Sequence, residues 1–308
     1  MANAYLILAA GLVCAAVGGE LFVRGAVGLA RAVRVSPGII AATVAAFATS
    51  SPELTVAINA ALAGAPEISL GDALGSNVVN VGLVLALALL IAPITARPSS
   101  IRRDFPVALL APVVLAILLV DNRLSRLDGA LLLAAFVAWL VAVTREAAGE
   151  RSAAAAVLGE SKPFRAVVES VIGLALLVAA GKLIVEGATE IARSFGLSEF
   201  AIGATVVAIG TSVPELATAI IARLRGHDEV GLGTVLGSNI LNGLMIVGTT
   251  AAITPISVPL LQAAPALVLG VATVALSYPR RSGIVGRWRG GMLLAVYVVF
   301  VMTALQAG

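Results

Sequence analysis

The chain has 308 residues, 60% of them hydrophobic and only 12% charged, with a mean hydropathy of +1.06 and a formal net charge of +3. A soluble domain carries about 25% charged residues, so these figures exclude a soluble globular protein and indicate a polytopic membrane protein. The small positive excess is no footprint for nucleic acid, and a single cysteine, Cys14, excludes a disulfide framework or a thiolate metal site.

In chain order, ten apolar stretches read as transmembrane helices, at roughly 4–30, 38–63, 70–94, 105–121, 126–144, 166–192, 200–224, 231–254, 258–278 and 288–306, each near the ~20 residues that cross a bilayer core. Backbone polar groups in lipid must be satisfied internally, and no short alternating segments suggest a barrel, so the expected fold is an all-α membrane protein. The first stretch lacks the basic leader of a signal peptide and reads as a retained helix. His227, the single histidine, lies in "RLRGHDE" and reads as a solvated loop residue.

Fifteen of the 20 Lys and Arg residues fall in alternate loops: Arg31 and Arg34; Arg97, Arg102 and Arg103; Arg145, Arg151, Lys162 and Arg165; Arg223 and Arg225; Arg280, Arg281, Arg287 and Arg289. The opposite side has Arg123, Arg126 and Arg193. Positive loops stay cytoplasmic, so both termini are expected outside. Arg24 and Lys182 fall inside spans, each four residues from a glutamate, Glu20 and Glu186, a spacing that puts both side chains on one helix face.

A shift of 162 residues lays the chain over itself. Residues 19–80 align without a gap to 181–242, with about half the positions identical; "ATVAAFATSSPELTVAI" lies over "ATVVAIGTSVPELATAI" and "LGSNVVN" over "LGSNILN". Each half holds five spans. An odd number inserts the halves in opposite senses, the architecture of secondary transporters with an ion site between them. The expected organisation is a first five-helix repeat, 1–144, a charged Ala-rich cytoplasmic linker, 145–165, and an inverted second repeat, 166–308.

The two motifs carry the chemistry. Pro52 and Pro214 lack an N–H, so each frees a carbonyl of the preceding turn and bends its helix. Freed carbonyls near Ala46–Thr49 and Ala208–Thr211, the hydroxyls of Thr49, Ser50, Thr211 and Ser212, and the carboxylates of Glu53 and Glu215 are oxygens suited to a hard cation, and calcium takes six to eight of them. Ser76 and Asn80 share one helix face, as do Ser238 and Asn242, and complement the glutamates with neutral oxygens. Asn77 and Asn239 lie off that face and suit backbone or a neighbouring helix, while Gly75 and Gly237 permit close helix contact. A Ser/Thr-Pro kink alone is often only structural. A buried glutamate is costly unless paired or protonated, and two of them at equivalent repeat positions repel unless a cation lies between them.

The paired "ATSSPE" and "GTSVPE", each followed by "GSN", resemble the alpha repeats of the cation/calcium exchanger superfamily, most closely the prokaryotic sodium/calcium exchangers. The resemblance covers essentially the whole chain. It implies ten helices as two inverted five-helix repeats, alternating access, long sliding first and sixth helices, and about three sodium ions exchanged per calcium, so that transport carries charge across the membrane potential. Carried over by motif, the ion ligands are Ala46, Thr49, Ser50, Glu53, Ser76 and Asn80 with Ala208, Thr211, Ser212, Glu215, Ser238 and Asn242, the alanines acting through their carbonyls. Ala48 stands where the motif usually has the glycine that Gly210 keeps, and Asn242 holds a position that is aspartate in some relatives, leaving two carboxylates. The implied protein is a monomer of a prokaryotic-type cell membrane that transports calcium and sodium and needs no cofactor.

Three other readings compete. A proton/calcium exchanger usually carries an acid where Asn80 or Asn242 stands. An intramembrane serine hydrolase using Ser50 or Ser212 needs a base within hydrogen-bond reach, yet the histidine is in a loop and Lys182 has Glu186 beside it. A passive channel requires weak binding, which a duplicated buried carboxylate site does not offer.

Overall fold

The computed structural model describes residues 2–154, 163–194, 208–280 and 282–306. These form α1 (Ala2–Val33), α2 (Pro37–Thr49), α3 (Ser51–Leu62), α4 (Pro66–Ile91), α5 (Pro98–Arg102), α6 (Asp104–Leu118), α7 (Arg126–Ala154), α8 (Pro163–Ser194), α9 (Ala208–Thr211), α10 (Val213–Leu224), α11 (Asp228–Ile253), α12 (Leu260–Ser277) and α13 (Arg287–Gln306). Four two-residue strands, β1 (Ile94–Thr95), β2 (Arg123–Leu124), β3 (Ile256–Ser257) and β4 (Ile284–Val285), lie in the loops.

Among the described residues six helices are long and apolar enough to cross a membrane: α1, α4, α7, α8, α11 and α12; α2 and α3 make a seventh if counted as one span bent by 47°. Sequence reading expects ten. The stretch expected at 105–121 is the 15-residue α6, about 22 Å long against a core of about 30 Å. The stretch expected at 200–224 is described only from Ala208, as the short α9 and α10.

Local chemistry sets the boundaries. Pro37, Pro66 and Pro98 open α2, α4 and α5, where a missing N–H costs nothing. Gly64 at φ +77° and Gly226 at φ +72° close α3 and α10 in the left-handed conformation glycine tolerates. Behind them Ala65 N–H reaches back to the Ala60 carbonyl at 2.9 Å and His227 N–H to Ala222 at 2.8 Å. Both closures sit 162 residues apart. So the repeat seen in sequence is a repeat of backbone geometry.

Among the described residues three π-helical segments interrupt the regular turns: Ala41–Ala45 in α2, Asn80–Leu85 in α4 and Leu241–Ile246 in α11. Such bulges are rare and cluster at functional sites. The second-half counterpart of the first, 203–207, lies outside the described residues.

The halves meet through contacts that repeat with roles exchanged. α1 and α8 pack antiparallel along a glycine seam. A Cβ on Gly25 would meet Ser170 Oγ, Ser170 N at 2.5 Å and Ala166 O at 2.8 Å; on Gly187 it would meet Ala4 O at 2.7 Å and Leu8 N at 2.8 Å. Positions 4 and 8 are the mates of 166 and 170. Gly11 against Ile184 and Gly173 against Phe22 form a second such pair. Reciprocity of this kind marks a two-fold relation. It recurs in the strands: β1 pairs antiparallel with β4 (Ile94 with Val285) and β2 with β3 (Leu124 with Ile256). Each sheet therefore joins one half to the other.

The core lies where α4 and α11 cross between the remaining helices, with Leu70, Leu85, Leu89, Phe105, Leu115, Leu232 and Leu236 fully buried. Charges gather at helix ends. Asp104 accepts from Arg103 at 2.7 Å and from Trp139 Nε1 at 3.1 Å, and Arg103 also pairs with Glu146 at 2.5 Å. Glu20 on α1 holds Arg24 at 2.6 Å, as its spacing predicts, and also Arg225, from beyond the end of α10, at 2.8 Å. Lys182 and Glu186 are exposed.

A leucine in the α1–α8 seam has nowhere to go. Gly25→Leu and Gly187→Leu should each destabilise the protein by about 1–3 kcal/mol, read as a lower thermal unfolding midpoint in detergent. Gly149→Leu, with nothing within 4 Å, is the control and should leave the midpoint unchanged. Equal behaviour of all three variants would refute the seam.

Candidate functional site

Two helix breaks of the same shape lie at the centre of the described structure. Ser50 (φ −89°, ψ 12°) ends α2 and Ser212 (φ −87°, ψ 8°) precedes α10. Pro52 and Pro214 lie within the first turn of the helices that follow. Pro52 removes the N–H that would reach the carbonyl four residues back, Ala48, and Ser51 Oγ occupies that carbonyl instead at 2.8 Å. Ala48 lies within the stretch 46–49 where sequence places the freed carbonyls; Ala46 O itself accepts Ser50 N–H at 2.9 Å and Thr49 Oγ1 at 3.3 Å.

The breaks deliver two carboxylates into the interior. Glu53, 2% exposed, sits in the first turn of α3, and Glu215, 0% exposed, in the first turn of α10. Helix N-termini favour negative charge, so each break both bends the chain and positions its carboxylate. The two are close enough for their charges to interact. Glu215 Oε1 accepts the hydroxyls of Ser50 and Ser238, each at 3.2 Å, and Ser50 Oγ also reaches Ser238 Oγ at 3.0 Å. This triangle takes Ser50 from the first half and Glu215 and Ser238 from the second, so the site belongs to neither half alone.

α4 and α11 supply the amides. Asn77 Nδ2 donates to the Asn239 carbonyl at 3.3 Å and Asn239 Nδ2 to the Asn77 carbonyl at 3.1 Å. This reciprocal pair fits the expectation that these asparagines bond backbone. Asn80 Nδ2 donates to Asn239 Oδ1 at 3.2 Å, which leaves Asn80 Oδ1 unused. Asn80 opens one π segment and Asn242 lies in another. Gly237 admits the Ala42 backbone, whose Cα would lie 2.8 Å from a Cβ there, so close contact at that position is real. Gly75 meets only the Phe300 ring, at 3.8 Å.

The oxygens left over define what the site can do. Glu53 Oε2, Glu215 Oε2, Asn80 Oδ1, Asn242 Oδ1 and Ser212 Oγ are buried without a hydrogen-bond partner among the described residues. Each unsatisfied buried polar atom costs about 1–3 kcal/mol, and more when charged. These five belong to the set expected from sequence; Asn77 Oδ1, Thr218 Oγ1 and Thr234 Oγ1, outside that set, are buried without a partner among the described residues as well. Thr49, Ser50, Ser76 and Ser238 are buried with them. Ala208 and Thr211 lie on α9, but their side chains are outside the described ones. No three His, Cys, Asp or Glu residues come together among the described residues. Two carboxylates among hydroxyls and amide oxygens suit a hard cation of the sodium and calcium kind rather than a transition metal. As for a hydrolytic base, Ser50 bonds Glu215 and Ser238, and Lys182 is exposed.

Sequence reasoning passed over one residue here. Asp72, half-buried on α4, interacts electrostatically with Glu53. Its signal was the four-residue spacing to Ser76, obscured because its repeat mate is Thr234.

The family model "Sodium/calcium exchanger protein" matches residues 3–145 and 166–306. The putative antiporter CaxA of Alkalimonas amylolytica is 38% identical over 262 residues, covering 83% of this chain and 82% of its own. The inner membrane protein YrbG of Escherichia coli is 35% identical, covering 98% and 96%. The sodium/calcium exchanger MaX1 of Methanosarcina acetivorans is 28% identical, covering 97% of both. Among solved structures, the sodium-calcium exchanger NCX_Mj soaked with Na+ and Sr2+ superimposes with a TM-score of 0.83 at 31% identity, covering 97% of this chain and 98% of that one.

Proposed function

The chain belongs to the sodium/calcium exchanger family of integral membrane proteins, and from that membership we propose that it is a secondary active antiporter moving calcium against sodium by alternating access. It is a transporter and not an enzyme. The observation that carries the proposal is the pair of buried carboxylates, Glu53 and Glu215, close enough for their charges to interact, each with an oxygen that has no partner among the described residues, and tied across the halves by Ser50 and Ser238.

The proposed ligands are Glu53, Glu215, Thr49, Thr211, Ser50, Ser212, Ser76, Ser238, Asn80 and Asn242, with the carbonyls of Ala46 and Ala208. The carboxylates neutralise the ion. The hydroxyls and amides replace its water. Sodium is favoured over a proton as the counter-ion because Asn80 and Asn242 are neutral where proton-coupled relatives carry an acid. The rival, proton/calcium exchange, predicts calcium flux under a pH gradient with no sodium present.

The proposed architecture is ten transmembrane helices as two inverted repeats, 1–144 and 166–308, joined by the 145–165 linker. The antiparallel α1–α8 seam and the two matched stretches of the family model support it. The arginine and lysine distribution supports outward termini and a cytoplasmic linker. The protein acts as a monomer in a prokaryotic-type cell membrane, and each half contributes ligands to the one site.

Charge alone is balanced by one calcium or by two sodium ions on the two carboxylates. The family resemblance instead implies about three sodium ions, which leave one excess charge to be shared by the neutral oxygens. On that count the proposed exchange is electrogenic.

Three measurements test this reading. Glu53→Gln and Glu215→Gln should each lower sodium-driven calcium flux in proteoliposomes by about 100-fold or more, the equivalent of losing one partner of a buried charge pair, with the proteins still folded; near-normal flux in either would remove that glutamate from the site. A cysteine placed in 145–165 should resist an impermeant thiol reagent on intact cells, and ready labelling would reverse the topology. At a fixed sodium gradient the equilibrium calcium ratio should change tenfold for every ~59 mV; a ratio indifferent to voltage means two sodium ions per calcium.

A further inference from the structure

Asp72 stands four residues before Ser76 and eight before Asn80 on α4, so the three share one helix face. The stripe of proposed ligands thus continues one turn beyond Ser76 and ends in a carboxylate. Asp72 is half-buried and has no hydrogen bond or ion pair among the described residues.

Its level in the fold follows from the α3–α4 hairpin. The two helices pack against each other around a turn at 63–65 that Gly64 makes possible. Glu53 and Ser76 lie eleven and twelve residues either side of Gly64 and are therefore level. Asp72 lies about 6 Å nearer the turn. The Glu53 carboxylate, 2% exposed and within reach of the Asp72 charge, has an Oε2 without a partner among the described residues. The second half offers no equivalent. The mate of Asp72 is Thr234, fully buried and uncharged.

We propose that Asp72 is a third anionic ligand of this exchanger, holding a transported cation one helical turn outside the Glu53–Glu215 pair, on the side of the 63–65 turn. The inference rests on the cation-exchange reading and revises its charge count. With Asp72 the path carries three negative charges. About three sodium ions are then balanced, and the calcium-loaded form carries the excess charge, a negative one. The difference between the loaded states stays one charge, so electrogenicity is retained. Because Thr234 adds no charge at the other end, the anionic approach exists on one side only. By the loop charges, that side faces outward.

Two measurements on purified, folded full-length protein separate this inference from the reading beneath it. In calorimetric titration with calcium, Asp72→Asn should weaken binding about tenfold, Asp72→Glu should stay within threefold of wild type, and Thr234→Val within twofold. In proteoliposomes, Asp72→Asn should raise the calcium concentration for half-maximal uptake by a similar factor. Wild-type calcium affinity in Asp72→Asn overturns the proposal, as does equal weakening in Asp72→Glu or in Thr234→Val, which would indicate packing rather than charge. If wild type binds calcium but shows no sodium-driven flux, the exchange reading fails; the titration alone then decides Asp72.

Discussion

A carboxylate deep in a membrane protein must be surrounded by hydrogen-bond donors or by a cation, and the rest of this structure follows from how that demand is met. Glu215 receives two serine hydroxyls on one oxygen and none among the described residues on the other. Half of its need is therefore met by the protein. The remainder matches what a mobile ion can supply. A fully satisfied carboxylate would be a structural post, and a wholly unsatisfied one would be too costly to bury. Partial satisfaction suits a site that must bind and release.

The two helix breaks make this arrangement possible. Each places a proline in the first turn of a new helix and a glutamate directly after it, so the device that bends the chain also aims the charge. The π segments act on the facing helices. Asn80 opens one of them and Asn242 lies in another, and the side-chain Oδ1 of each has no partner among the described residues. The Asn77–Asn239 exchange then ties α4 to α11 through two bonds of the same kind, a symmetric anchor that costs the site none of its oxygens.

Much of this was legible in the sequence because the repeat keeps its chemistry at a constant offset. "SSPEL" and "SVPEL", with "GSNVVN" and "GSNILN", identify the buried carboxylates and amides without coordinates. Other features were not legible, for physical reasons. A π bulge depends on which carbonyl an N–H selects, and the apolar letters of "AATVA" are equally at home in an α-helix. The short α6 merges with its apolar surroundings in a hydropathy reading. Asp72 is concealed by the repeat itself, since a comparison that rewards identity discards Asp against Thr.

The two small sheets have a mechanical consequence. Ile94 with Val285 and Leu124 with Ile256 stitch first-half loops to second-half loops by main-chain bonds. Bodies stitched at two places lose the freedom to rotate past each other. The α1–α8 pair is held differently, by side-chain and glycine contacts and by the Glu20–Arg225 ion pair, whose arginine is 55% exposed. Exposed ion pairs are worth about 0–1 kcal/mol, a catch that thermal motion opens. The main-chain stitches join the halves at the loops, whereas the α1–α8 pair is joined to its surroundings by contacts that carry no main-chain ladder.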